Sequence, residues 1–152
     1  MIQLTKKADY AIVVMAHLAR FADLPTATAR EVADATRLPS PMVAKILKIL
    51  TRKGLLKSSQ GIKGGYQLSR SASDITVAQV IEALEGPLAM TECTVGPPGI
   101  CRTEHWCSVR PHWGVINQEI RQTLERLSLS TMVGPVHLPL ISRETQSAWS
   151  KK

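Results

Sequence analysis

No run of about 18 apolar residues occurs in this chain, so no segment is long enough to span a bilayer as a helix. Met1-Ile2-Gln3-Leu4-Thr5-Lys6-Lys7 carries charge but leads into Ala8-Asp9-Tyr10, and no small-residue cleavage site follows the apolar stretch. That argues against a secretory signal and sets a cytoplasmic expectation with no membrane partner. There is no P-loop and no G-x-S-x-G, and no substrate motif points to an enzyme. Cysteine is scarce: three residues, an odd number, which does not suit a disulfide scaffold. The most informative absence is acid. Between Ala35 and Ser73 there are eight Lys or Arg and no Asp or Glu.

What is present is a 152-residue chain, 44% hydrophobic, with formal net charge +7. That length allows one compact domain, or a small domain with an appendage. The charge suits a polyanionic partner, although charge alone would also suit a membrane surface.

The acid-free stretch, with the residues leading into it, has an order to it. Thr28-Ala29-Arg30-Glu31 reads as a capping box that opens a short helix through Val32, Ala33 and Ala35. Arg37-Leu38-Pro39 is a tight turn. Ser40 fits an N-cap, Pro41 the first helical position, and Gly54 the residue that stops the helix. Val43, Ile46, Leu47 and Leu50 share one face at helical spacing, and Lys45, Lys48 and Arg52 share the other. Leu55-Leu56-Lys57-Ser58-Ser59-Gln60, then Gly61-Ile62-Lys63-Gly64-Gly65, then Tyr66-Gln67-Leu68-Ser69 reads as strand, glycine turn, strand. One basic amphipathic helix would be an ordinary solvated face. Capped helix, turn, acid-free helix and hairpin in this order read as a winged helix-turn-helix, with the second helix in a DNA major groove. The residues expected at DNA are Thr28, Ser40, Pro41, Lys45, Lys48, Arg52, Gln60 and Lys63, with Lys57 on phosphate.

Upstream, Thr5 caps a first helix, roughly Lys6 to Ala22, whose apolar stripe is Tyr10, Val13, Val14, His17, Leu18 and Phe21; Asp23-Leu24-Pro25 ends it. His17 in that stripe reads as a core or boundary histidine rather than a ligand. The expected core joins this helix to Val32, Val43, Ile46, Leu47, Leu50, Leu55 and Leu68. Thr76-Val77-Ala78-Gln79 is a second capping box, opening a helix from Val77 to Leu84 that packs back through Val77, Val80, Ile81 and Leu84.

Residues 90–111 hold two glycines, three prolines and all three cysteines. On burial alone this loop has little reason to fold unaided. Cys93, Cys101 and Cys107 can converge on one point, and thiolates favour zinc, copper(I) or an iron–sulfur cluster. Three cysteines imply a fourth ligand from elsewhere or an open position, which suits a sensor better than an electron carrier. Zinc closed by His105 or His112 is one alternative, and three unliganded thiols another. The wide spacing tilts from zinc knuckles towards a cluster. After Pro111, Trp113, Ile116, Ile120, Leu124 and Leu127 form a single stripe on a long helix, which reads as a homodimer seam.

Several motifs in order resemble the IscR/NsrR family of bacterial iron–sulfur-sensing repressors over about residues 1–132. They are Leu4-Thr5-Lys6-Lys7-Ala8-Asp9-Tyr10-Ala11, Gly61-Ile62-Lys63-Gly64-Gly65-Tyr66, and the three cysteines. Glu82-Ala83-Leu84-Glu85-Gly86-Pro87, Leu88-Ala89-Met90-Thr91-Glu92-Cys93 and Cys107-Ser108-Val109-Arg110-Pro111-His112-Trp113 resemble its proteobacterial subgroup regulating SUF cluster assembly. The resemblance implies a [2Fe–2S] cluster, or else [4Fe–4S], on Cys93, Cys101 and Cys107, whose state alters affinity for a double-stranded operator. The chain departs from the family at the fourth ligand: Arg110 stands where the cluster-assembly regulator has a histidine. Asp9 matches the aspartate that the nitric-oxide sensor takes from its partner subunit, so Asp9 is the first candidate, with His112 and His105 next. Gln60 stands where a relative has a minor-groove arginine, and Ala44 and Lys45 replace larger polar readers, so no operator sequence carries over.

The expected fold is mainly α with a small β-hairpin. It comprises a winged helix-turn-helix (1–72), a linking helix (73–88), a cluster-binding loop (89–111), a dimerisation helix (112–128) and a flexible tail (129–152). The expected function is a dimeric repressor controlling cluster-assembly genes. The rivals are a zinc-stabilised regulator without cluster sensing and an iron–sulfur redox protein.

Overall fold

The computed structural model describes residues 3–23, 26–61, 64–94, 96, 99 and 101–135. Leu24-Pro25, Lys63 at the expected hairpin tip, and His137 and Trp149 in the expected tail lie outside the described residues.

Helix α1 runs Lys6–Arg20, and the Thr5 hydroxyl accepts the Ala8 N–H at 3.3 Å, as the cap predicts. Its buried side differs from the expected stripe. Ala8, Ala11, Val14, Met15 and Leu18 are buried, whereas Val13 is 40% and Phe21 46% exposed. The cause is close packing: α1 packs most extensively against two later helices, and alanines let those backbones approach where larger side chains would hold them off. His17 is half-buried at the edge of the core, its ring 5.0 Å from Phe21. Burial, helped by the Arg20 charge, holds its pKa below the usual histidine value.

Helix α2 (Ala29–Thr36) opens with the expected capping box. The Thr28 N–H donates to Glu31 Oε2 at 2.7 Å, and the Glu31 N–H donates to Thr28 Oγ1 at 3.2 Å. Arg37 then takes a left-handed backbone, φ 57°, and Leu38-Pro39 completes the turn. Helix α3 (Ser40–Arg52) starts one residue earlier than expected: Pro39 is the cap, because its carbonyl accepts from both the Met42 and Val43 N–H groups. Ser40 is therefore the first helical residue, and no side chain caps this end. At the other end, Gly54 at φ 74° donates to the Thr51 carbonyl while the Leu55 N–H reaches the Leu50 carbonyl, each at 3.0 Å. That is a Schellman stop, with Leu50 and Leu55 both buried in the core.

Strands β1 (Leu56–Ser59) and β2 (Gly65–Leu68) pair antiparallel, with Leu56 opposite Leu68 and Ser59 opposite Gly65. A bridge between Ala27 and Tyr66 ties the hairpin to the turn before α2. Gly65 is required there, since a Cβ would lie 2.7 Å from the Ala27 backbone. Val32, Val43, Ile46, Leu47, Leu50 and Leu55 are buried as expected, and Leu68 packs half-buried against them.

Helix α4 (Val77–Glu85) begins at the second capping box and buries Val77, Val80, Ile81 and Leu84 as expected. Gln79 Oε1 accepts from the Thr76 N–H at 3.1 Å and from Arg70 Nη2 at 2.9 Å, so this box also anchors the end of the hairpin. Thr76→Ala should cost about 1 kcal/mol of stability, read as a lower urea midpoint at unchanged slope.

Helix α5 (Arg110–Arg126) contains no buried residue. The chain after it does not begin a free tail at 129. Leu129–Val133 form a short helix, α6, with Leu129 fully buried. The Leu129 N–H donates to the Ile75 carbonyl at 2.9 Å, and the Val77 N–H donates to the Leu127 carbonyl at 2.8 Å. These bonds stitch the end of α5 to the start of α4, and α6 packs on α1. Five residues are too few to show a helical period, which is why the pattern hid this core contact.

Candidate DNA interface and cysteine loop

On α3, Val43, Ile46, Leu47 and Leu50 have no measurable exposure, which fixes the rotation of the helix. Ser40, Pro41, Lys45, Lys48 and Arg52 consequently lie exposed on the outer side. Lys57 and Gln60 are exposed on the hairpin. Among the described residues, Lys45, Lys48, Arg52 and Lys57 form no ion pair. Lys48, Thr51 and Arg52 line, with Ser58 and Tyr66, a shallow cleft of ≈ 410 Å³ where helix and wing meet. A cleft with two unpaired cations on its wall suits a backbone phosphate.

Two residues, one before the basic stretch and one in it, serve other ends. The Thr28 hydroxyl is occupied, donating to Glu31 Oε2 at 2.8 Å while it caps α2. Arg70 reaches the Asp74 carbonyl at 3.1 Å as well as Gln79, and so braces the wing against α4.

The described residues of the cysteine loop include single 3-10 turns at Glu92–Thr94 and Glu104–Trp106. Cys93, Cys101 and Cys107 are free thiols, each half-buried. Cys93 Sγ lies 3.2 Å from Thr91 Oγ1, and Cys101 Sγ 3.3 Å from Thr103 Oγ1. Among the described residues, no three His, Cys, Asp or Glu side chains are gathered closely enough to hold a metal, so the thiols are not brought together in this conformation. The donor chemistry nonetheless fits a soft metal: three sulfurs on one short loop, none of them in a disulfide. Asp9 is exposed on the first turn of α1; His105 and His112 are exposed beside the loop.

Sequence reasoning missed Glu104. It is the one buried charged residue among those described, at 7% exposure. Its Oε1 pairs with Arg110 Nη2 at 2.7 Å, and its Oε2 accepts the Gly99 N–H at 2.6 Å. An acid in a loop has no periodicity to betray it; the signal available was an arginine six residues on.

The loop is joined to the winged domain through α5. The Met90 N–H donates to Asn117 Oδ1, Asn117 Nδ2 donates to the Leu88 carbonyl, both at 3.1 Å, and Arg121 lies 3.6 Å from Glu82 on α4.

The model of a family described as an iron-dependent transcriptional regulator, Rrf2, matches residues 4–135. The chain belongs to the Rrf2 family. Its relatives include the helix-turn-helix transcriptional regulator ORF2 of Azotobacter vinelandii, 31% identical over 86% of this chain and 79% of that one. Protein rrf2 of Nitratidesulfovibrio vulgaris is 26% identical over 86% and 87%. Among solved structures, CymR, the global cysteine regulator of B. subtilis, superposes with TM-score 0.70 at 23% identity, covering 88% of this chain and 97% of CymR. T. potens IscR gives 0.68 at 24%, covering 87% and 86%. Both show the same winged-helix fold. As an Rrf2 protein the chain is a DNA-binding transcription regulator and not an enzyme. No helix of the described residues is long and apolar enough to cross a membrane.

Proposed function

We propose that this Rrf2 regulator is a cytoplasmic homodimer that represses cluster-assembly genes and adjusts them to iron–sulfur status. The observation that carries this reading is the set of three free, half-buried thiols on the loop between reading head and α5, in a family described as iron-dependent. Cys93, Cys101 and Cys107 would hold the group, with a fourth donor from Asp9 of the other protomer, or from His112 or His105. When bound, a [2Fe–2S] cluster (or a [4Fe–4S]) supplies a charge and ligand set that change with oxidants and iron supply.

The chain's own residues do the rest. Of residues 40–48, the exposed Ser40, Pro41 and Lys45 face base edges in the major groove. Lys48, Arg52, Lys57 and Lys63 contact phosphates, and Gln60 sits on the wing towards the minor groove. The loop ends at Arg110, the first residue of α5. A change in how the thiols are held therefore moves α5. Asn117 and Arg121 pass that motion to the Leu88 segment and to Glu82 beneath the reading head, changing the fit of two modules to two half-sites.

Anaerobic purification followed by a visible spectrum, iron analysis and operator titration tests this. Cys93→Ala should lose the visible absorption and most of the iron, and its operator affinity should no longer differ between metal-loaded and metal-free preparations. Unchanged spectrum and iron in that variant would count against the site. A colourless, zinc-loaded wild type would instead establish the zinc-stabilised regulator.

A further inference from the structure

Glu104 is buried between two of the three cysteines, and the regulatory reading gives it no task. Burying a carboxylate is costly unless both oxygens are satisfied, and here both are, one by the Arg110 guanidinium and one by the Gly99 N–H. The Glu104 side chain is 5% exposed, while that of Arg110 is 48% exposed. The pair therefore lies at the loop surface with its acidic end tucked in. The Glu104 N–H also donates to the Cys101 carbonyl at 3.1 Å, and the Arg110 N–H faces the Cys107 carbonyl at 3.4 Å. One side chain thus draws residues 99, 104 and 110 together. Cys101 and Cys107 lie on the stretch it closes, and Cys93 lies outside. Gly99, at φ 92°, supplies a backbone conformation that other residues adopt only under strain.

We propose that Glu104 is the positioning residue of the cysteine loop. Through Gly99 and Arg110 it ties the two ends of the 99–110 segment, so that the backbone carrying Cys101 and Cys107 is restrained before any metal arrives, and metal binding then has only to gather the three sulfurs. This deepens the metal reading of the loop and rests on it. It also assigns Arg110: a guanidinium has no lone pair to give a metal, and here it serves the carboxylate that orders the donors.

Two measurements on the full chain test it. In the metal-free, reduced protein, hydrogen exchange should report peptides covering residues 99–110. Glu104→Ala should speed their exchange roughly tenfold or more, because it leaves Arg110 and the Gly99 amide without their partner. Glu104→Gln should fall between the two, keeping an acceptor but losing the charge, and Arg110→Lys should stay near wild type. Peptides from α1 to α4 should exchange as in wild type, which shows the fold is intact. In the second measurement, Co²⁺ is titrated and followed by thiolate-to-cobalt absorption. Affinity should fall about tenfold in Glu104→Gln and recover in Arg110→Lys. Unchanged exchange in Glu104→Ala would overturn the clamp. Faster exchange with unchanged Co²⁺ affinity would overturn its positioning role. A wild type that binds neither Co²⁺ nor iron would overturn the metal reading of the loop, a failure seen in the wild type and not in the variants.

Discussion

Lys48, Arg52 and Lys57 replaced together by glutamine should lower operator affinity at least roughly a hundredfold at low salt, with no change in the urea unfolding midpoint. All three are exposed and none takes part in an ion pair among the described residues, so the fold does not depend on their charge. What they offer is unspent positive charge on the two elements that meet at the Lys48–Arg52–Ser58 cleft. Each phosphate contact contributes about 0.9 to the slope of log affinity against log salt; a dimer losing six should flatten that slope by roughly five. Fluorescence anisotropy with operator and random duplexes across a salt series reads this directly. Both duplexes should weaken together, because phosphate contacts carry no sequence information. Lys45→Ala, at the centre of the groove-facing side, should instead weaken operator more than random DNA. A triple variant with an unchanged salt slope would remove α3 and β1 from the interface.

The parts legible in the sequence are those where local chemistry dictates local structure. Thr28 with Glu31, and Thr76 with Gln79, announced two helix starts, and Gly54 announced a stop, because caps answer backbone demands within a few residues. The rotation of α3 followed from its period, since four large apolar residues there outweigh any alternative packing. On α1 the same method failed. It weighted Val13 and Phe21 by size, whereas Ala8 and Ala11 are the buried positions, on a helix whose most extensive packing is against α4 and α6, over 50 residues on in the chain. Leu129 and Glu104 were missed for a related reason. Each is buried by a few long-range or loop-specific bonds, which leave no repeating mark. The candidate site splits the same way. The cationic face was readable as charge on a known helix face, but the arrangement of the three thiols depends on loop-specific bonds, those of Asn117 and Glu104 among them, that leave no pattern in the sequence.

Ile116→Glu should turn the proposed dimer into a monomer while leaving the helical content of the chain unchanged. Within one protomer α5 buries nothing: Ile116 is 42% and Val115 61% exposed, and Trp113, Ile120 and Leu124 are only half-covered. The helix is nonetheless fixed, at its middle by Asn117 on the Leu88 segment and at its C-terminal end by the 127–129 return onto Ile75 and Val77. A firmly held helix with an apolar stripe left open is what the proposed two-fold pairing would require. In a two-fold seam each Ile116 is buried once per protomer, at about 1.5–3 kcal/mol each. Replacing both with carboxylates adds repulsion and desolvation, so dimer affinity should fall roughly a thousandfold or more. Sedimentation velocity reads the assembly, and operator titration reads its consequence. Because Ile116 lies away from α3 and the wing, the monomer should keep the binding of a single module to one half-site while losing the gain from engaging two at once. A variant that stays dimeric would assign the seam to another surface. One that becomes monomeric yet grips the full operator as before would show that the reading head never depended on two-fold pairing, and α5 would then have no part in carrying a signal from Cys107 to DNA.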